Sequence, residues 1–163
     1  DMQTYFEKRD DIKGKTVTWV GDGNNMCHSY MHAAKLLDFK LNIACPQCFE
    51  PQQSFIDETA DHIEITQDVA KACTGSDLIV TDVWASMGQE EEQKHRERAF
   101  SDFQVTAELM DLANDDALFM HCLPAHRGEE VTESVIDGPQ SVIWDEAENR
   151  MHAQTGILAW CME

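Results

Sequence analysis

Four short segments gather residue types that can do chemistry. His121-Cys122-Leu123-Pro124-Ala125-His126-Arg127-Gly128 sets a thiol beside an imidazole and near an arginine. Such a thiol is either a nucleophile of lowered pKa or an inert thiol buried at a strand end, and the residue types alone leave both open. Pro124 is a position where a cis peptide can occur. Asp82-Val83-Trp84-Ala85-Ser86-Met87-Gly88 offers a carboxylate that is either a turn former or the counter-charge for an ammonium group, followed by a hydroxyl on a loop that fits a lid. Gly21-Asp22-Gly23-Asn24-Asn25-Met26 opens like a dinucleotide fingerprint, but Met26 stands where the third glycine is needed. What remains is a tight turn in which Asn24 or Asn25 caps the next helix, and a residue beyond the cap is free for a small polar substrate. Asp145-Glu146-Ala147-Glu148-Asn149-Arg150 carries an arginine suited to a surface ion pair, an anion or a carbonyl to be polarised.

Two other chemistries find little support. Cys45-Pro46-Gln47-Cys48 is the only C-x-x-C, and neither a second pair nor an H-x(3–5)-H at a fitting distance accompanies it, so no metal site is expected. The pair follows a strand but opens no clear helix, which argues against a redox couple. The second strand ends in Ala44-Cys45-Pro46, without an acidic residue to hold a ribose, so a nucleotide cofactor is not expected either.

The elements that must position these segments alternate. Strands are predicted at Thr16–Val20, Leu41–Ala44, Ile63–Ile65, Leu78–Thr81 and Ala117–Met120, with a short sixth at Val142–Trp144. Leu78–Thr81 and Ala117–Met120 are apolar throughout, as strands covered on both faces should be. Helices are predicted from Met26 to Leu37, after a cap at Asp68, from Glu91 to Phe103, from Thr106 to Leu112, from Thr132 to the stop at Gly138-Pro139, and from Glu146 to Met162. The alternation predicts an α/β fold, doubly wound and Rossmann-like, with a mainly parallel sheet and helices on both faces. Ligands in such folds bind beyond the carboxyl ends of the strands, which is where all four segments fall.

Composition narrows the partners. A chain of 163 residues is one domain by size, and 42% hydrophobic with 26% charged residues fits a globular protein. The formal net charge of −19 repels nucleic acid and anionic membranes, so neither is an expected partner. No apolar run approaches the ~20 residues of a membrane span. Six cysteines, most of them inside apolar segments, point to a reducing compartment.

Together the four segments resemble the ornithine carbamoyltransferase family. The matching strings are W-V-G-D-G-N-N-M from Trp19, D-V-W-A-S-M-G from Asp82, H-C-L-P from His121 and E-A-E-N-R-M-H from Glu146. The resemblance implies that 1–163 is the second, ornithine-binding domain. The family's carbamoyl phosphate-binding domain, with S-T-R-T-R and H-P-x-Q, is outside this chain. It also implies transfer of the carbamoyl group of carbamoyl phosphate to the δ-amine of L-ornithine, a homotrimeric cytoplasmic enzyme without cofactor, and an inactive isolated domain. By position, Asn25, Asp82, Ser86 and Met87 resemble the family's ornithine contacts. Cys122 and Arg150 resemble its catalytic residues, and with Leu123 they resemble its carbamoyl contacts. Leu123-Pro124 is expected to be cis. The competing expectation is a non-catalytic regulatory or scaffold module that has kept the fold.

Overall fold

The computed structural model describes residues 1–85 and 93–163. Five strands form one parallel sheet: β1 (Thr16–Val20), β2 (Lys40–Ala44), β3 (Ile63–Thr66), β4 (Leu78–Thr81) and β5 (Leu118–His121), in the order β3-β2-β1-β4-β5. The chain winds outward from β1 in one direction, returns, and winds outward in the other. The strand order therefore reverses between β1 and β4, and a crevice opens at their carboxyl ends. Among the described residues eight α-helices connect and cover the strands: α1 (Met2–Arg9), α2 (Asn25–Leu37), α3 (Gln53–Thr59), α4 (Val69–Cys73), α5 (Gln93–Phe100), α6 (Ala107–Met110), α7 (Glu133–Ile136) and α8 (Ile143–Met162).

Side-chain alternation splits the apolar residues between two cores. Val17 and Trp19 of β1, Leu78 and Val80 of β4, and Leu118 and Met120 of β5 pack with Tyr30, Met31 and Ala34 of α2. Val20, Ile79 and Phe119 face the other way, against Val69, Phe100, Val105 and Ile136. A sheet buried on both faces has no wet side, which is why its strands read as continuous apolar runs. The buried hydroxyl of Thr18 meets this constraint by bonding the Ala72 carbonyl at 2.7 Å.

Helix α3 lies outside the predicted helices, and two further features depart from the sequence pattern. Val142–Trp144 is not a strand. Val142 donates to the Phe119 carbonyl at 3.0 Å and Ser141 forms a single bridge to Phe119, but Ile143 already opens α8. The good helix formers Glu146, Ala147 and Glu148 carry the β-rich triplet into the helix, where Ile143 is buried and Trp144 is exposed. The fifth strand also starts one residue later than predicted, so His121 is its last residue and not part of the loop. Asp68 caps α4 as expected, accepting the Lys71 amide at 2.9 Å.

The buried side of α8 is Ile143, Glu146 and Asn149. From Met151 to its end every residue is exposed, including Ile157, Leu158 and Trp160. No helix among the described residues is long and apolar enough to cross a membrane.

Candidate active site

The crevice between β1 and β4 is built from the turns that follow them. After β1, Gly23 passes so close to the 49–51 loop that a Cβ there would lie 2.3 Å from the Pro51 nitrogen. Glycine is therefore required by this close approach. Asn24 then caps α2: its Oδ1 accepts the amides of Met26 at 2.9 Å and Cys27 at 3.2 Å. The same side chain reaches across the crevice, where its Nδ2 donates to Asp82 Oδ2 at 3.2 Å. Asn25 occupies the first helical position, is exposed, and its amide makes no hydrogen bond among the described residues. The two asparagines have thus divided the roles: one holds the helix and Asp82, and the other is free.

Asp82 is the hub. Its Oδ1 accepts the Val83 amide at 2.8 Å and the Cys122 thiol at 3.4 Å. Burial, then the charge of Asp82 and its hydrogen bond, pushes the Cys122 thiol up to about 12. Of the two readings of this cysteine, the activated nucleophile is the one the environment opposes. A thiol facing a carboxylate stays protonated and donates.

The turn after β5 is held by His121, which is fully buried. Its Nδ1 accepts the Leu123 amide at 3.0 Å, so the ring proton sits on Nε2 and is donated to Glu130 Oε1 at 3.0 Å. Glu130 is also fully buried and accepts the His126 amide at 2.6 Å. Burial raises its pKa, but these hydrogen bonds outweigh the burial and hold the carboxyl below its usual range. Leu123 takes a left-handed conformation, φ 55°, and Leu123–Pro124 is cis as expected. Left-handed backbone at a leucine persists only where neighbours fix it, and here the His121 ring does so.

A cleft of about 550 Å³ lies against this turn, walled by Met26, Cys122, Leu123, Glu146 and Arg150. Arg150 is exposed, and its guanidinium has no partner among the described residues. On the Asp82 side, Arg96 is spoken for: it pairs with Asp22 at 2.7 Å, bonds the Trp84 carbonyl at 2.8 Å and lies 5.0 Å from the Phe49 ring centre. Ser86 and Met87, with the proposed lid glycine, lie outside the described residues.

Donor atoms of Asp82, His121 and Cys122 lie within 4.8 Å of one another, as do those of His126, Glu129 and Glu130. In the first group both ring nitrogens of His121 are engaged by Glu130 and Leu123, outside the group, and the protonated Cys122 thiol donates to Asp82. At the C-x-x-C, Cys45 is buried and Cys48 exposed. Burial, helped by Glu50 and Asp22, pushes the Cys45 thiol up to about 12, unlike a redox thiol.

The sequence reading passed over Glu130 and Glu146. Glu146 was legible as an acid in the first turn of a helix whose N-terminus faces the cleft. Nothing local marked Glu130, which meets His121 only through the tertiary turn.

A doubly wound domain with a carboxylate, a protonated thiol and a free guanidinium at its crevice defines the class, and comparison places it within that class. The chain belongs to the aspartate/ornithine carbamoyltransferase family: residues 13–161 match that family's Asp/Orn binding domain. It is 62% identical over 162 residues to an ornithine carbamoyltransferase of Methylococcus capsulatus, covering 99% of this chain and 54% of the relative. It is 53% identical over 163 residues to an anabolic ornithine carbamoyltransferase of Pseudomonas aeruginosa, covering 100% of this chain and 53% of that protein. Among solved structures, ornithine carbamoyltransferase from Pyrococcus furiosus superposes with a TM-score of 0.90 at 49% identity, over 98% of this chain and 53% of that one. The chain spans about half the length of the relatives it matches.

Proposed function

We propose that this chain is the amino-acid-binding half of an ornithine carbamoyltransferase, which transfers the carbamoyl group of carbamoyl phosphate to the δ-amine of L-ornithine. The observation that carries this reading is Asp82, a carboxylate at the crevice whose oxygens are oriented by Asn24, Val83 and Cys122. A carboxylate fixed in this way suits the α-ammonium of an amino acid. Asn25, exposed at the start of α2, and Ser86 and Met87, which follow in sequence outside the described residues, complete the proposed ornithine contacts.

In the proposed reaction the neutral δ-amine attacks the carbonyl carbon of carbamoyl phosphate. The new N–C bond forms as the C–O bond to phosphate breaks. Phosphate leaves with the electron pair and takes up the proton that the amine gives up. No covalent enzyme intermediate is needed, and a Cys122 thiol that stays protonated agrees with that. In this reading Arg150, unpartnered among the described residues, polarises the carbonyl, and the Leu123 carbonyl accepts from the carbamoyl amide. Catalysis then rests on orientation and on stabilising the developing oxyanion. The cations for the phosphate come from the other half of the enzyme. The exposed apolar residues of α8, Ile157, Leu158 and Trp160, are proposed to pack on that half in a cytoplasmic homotrimer.

The test is a fusion in which the segment preceding the matched region of the Methylococcus capsulatus relative is joined before residue 1. The fusion is expected to make L-citrulline from L-ornithine and carbamoyl phosphate, and the 163-residue chain alone is expected to make none. A well-folded fusion without turnover would favour the scaffold reading.

A further inference from the structure

Glu146 takes no part in the reaction as drawn above, yet it lines the cleft beside Cys122. It is 4% exposed. One carboxyl oxygen, Oε2, accepts the His121 amide at 2.9 Å, which pins the strand end from which the Cys122 turn departs. The other, Oε1, is buried and has no partner among the described residues. The Tyr30 hydroxyl, brought up by α2 and also buried, is likewise without a partner there. A glutamine would accept the His121 amide equally well. A carboxyl with a bare buried oxygen is costly for a purely structural role.

The groups that act on this carboxyl come from every side. Asp82 beyond β4 and Cys122 beyond β5 share its field, Tyr30 faces it from α2, and the α-ammonium of Asp1 and the His121 amide favour its charged form. Burial outweighs these two favourable contacts and pushes it up to about 7.

We propose that Glu146 is a positioning residue for the α-ammonium of the bound amino acid: anchored on the His121 amide, it adds to Asp82 a second negative charge beside Cys122 when ionised and withdraws it when protonated. The cationic amino acid is then held more tightly as Glu146 ionises. The inference rests on the proposed function, because the cation it serves is the amino acid of that reading.

The experiment uses the active fusion and L-2-aminopentanoate, which shares the amino-acid head of ornithine but has no second amine to titrate. Its inhibition constant is measured against L-ornithine from pH 6 to pH 8.5, in wild type and in Glu146→Gln. In wild type the constant is expected to fall roughly three- to tenfold as the carboxyl ionises. In Glu146→Gln it should be flat. A variant that keeps the wild-type pH profile would overturn the proposal, whatever its effect on turnover. Selective carboxyl-carbon labelling of glutamate in the wild-type fusion, read by NMR, decides the matter if the variant does not fold or the fusion does not turn over. Joining a segment to Asp1 removes the ammonium that lowers this carboxyl, so a Glu146 midpoint at 7 or above supports the proposal, and one in the ordinary carboxylate range overturns it. An inactive fusion in which Glu146 titrates at 7 or above counts against the proposed function alone.

Discussion

Asn24 and Asp82 meet across the point where the strand order reverses, with Asn24 Nδ2 3.2 Å from Asp82 Oδ2. The asparagine thereby couples the start of α2 to the carboxylate. Asn24→Ala removes both functions. The lost cap should cost about 1 kcal/mol of stability, readable by urea denaturation. In the fusion the KM for L-ornithine should rise while kcat changes less, because the freed carboxylate is misplaced and not removed. A variant that loses stability with KM unchanged would reduce Asn24 to a cap.

Cys122 should be slow to alkylate. With its thiol near 12, it should react with iodoacetamide at pH 7.5 about 100-fold or more slowly than an exposed thiol. Peptide mapping should find Cys48 and Cys161, both exposed, modified first. In the fusion, Cys122→Ser keeps a donor to Asp82 and should retain more turnover than Cys122→Ala. Equal and complete loss in both would restore the nucleophile reading.

Glu146 should set a pH dependence of stability. Its carboxyl sits at about 7 in the folded chain against an ordinary value of 4.5. Below about 4.5 both states hold the proton and nothing is lost. Between there and 7 the unfolded chain binds fewer protons, so stability falls as pH rises, and the loss is complete above 7. Glu146→Gln removes the titration and should be the more stable protein at pH 8, by roughly 2–3 kcal/mol, with little difference at pH 4.5. A wild type more stable than the variant at pH 8 would contradict this.

Gly23→Ala should be severe. The added Cβ would meet backbone atoms of the 49–51 loop, 2.3 Å from the Pro51 nitrogen and 2.5 Å from the Glu50 carbonyl carbon, and neither can swing aside. A loss of about 2–4 kcal/mol is expected, measured by denaturation, because overpacking against backbone has no cheap relief. A loss below 1 kcal/mol would mean that the loop gives way.

Much of this was readable beforehand because the sheet is buried on both faces. Leu78–Thr81 declares itself by being apolar at every position, and the turn residues at Gly21–Gly23 and the cap at Asp68 mark where its neighbours stop and start. Val142–Trp144 misled because three β-rich residues say nothing about the helix formers Glu146, Ala147 and Glu148 behind them, and α8 claimed two of the three. Asp82 stood out as a candidate by type and place and Asn24 only as one of two possible caps, whereas their bond to each other depends on the reversal in strand order. The His121–Glu130 pair was invisible for the same reason: the two are nine positions apart across an irregular turn, and burial brings them to 3.0 Å.

The KM for L-ornithine in the fusion carrying Asp82→Asn bears most directly on the central claim. The substitution keeps size and hydrogen-bonding shape but removes the charge. The KM should rise about 100-fold, the scale of stranding one member of a desolvated ion pair. An unchanged KM in an otherwise active enzyme would mean that the amino acid is held elsewhere.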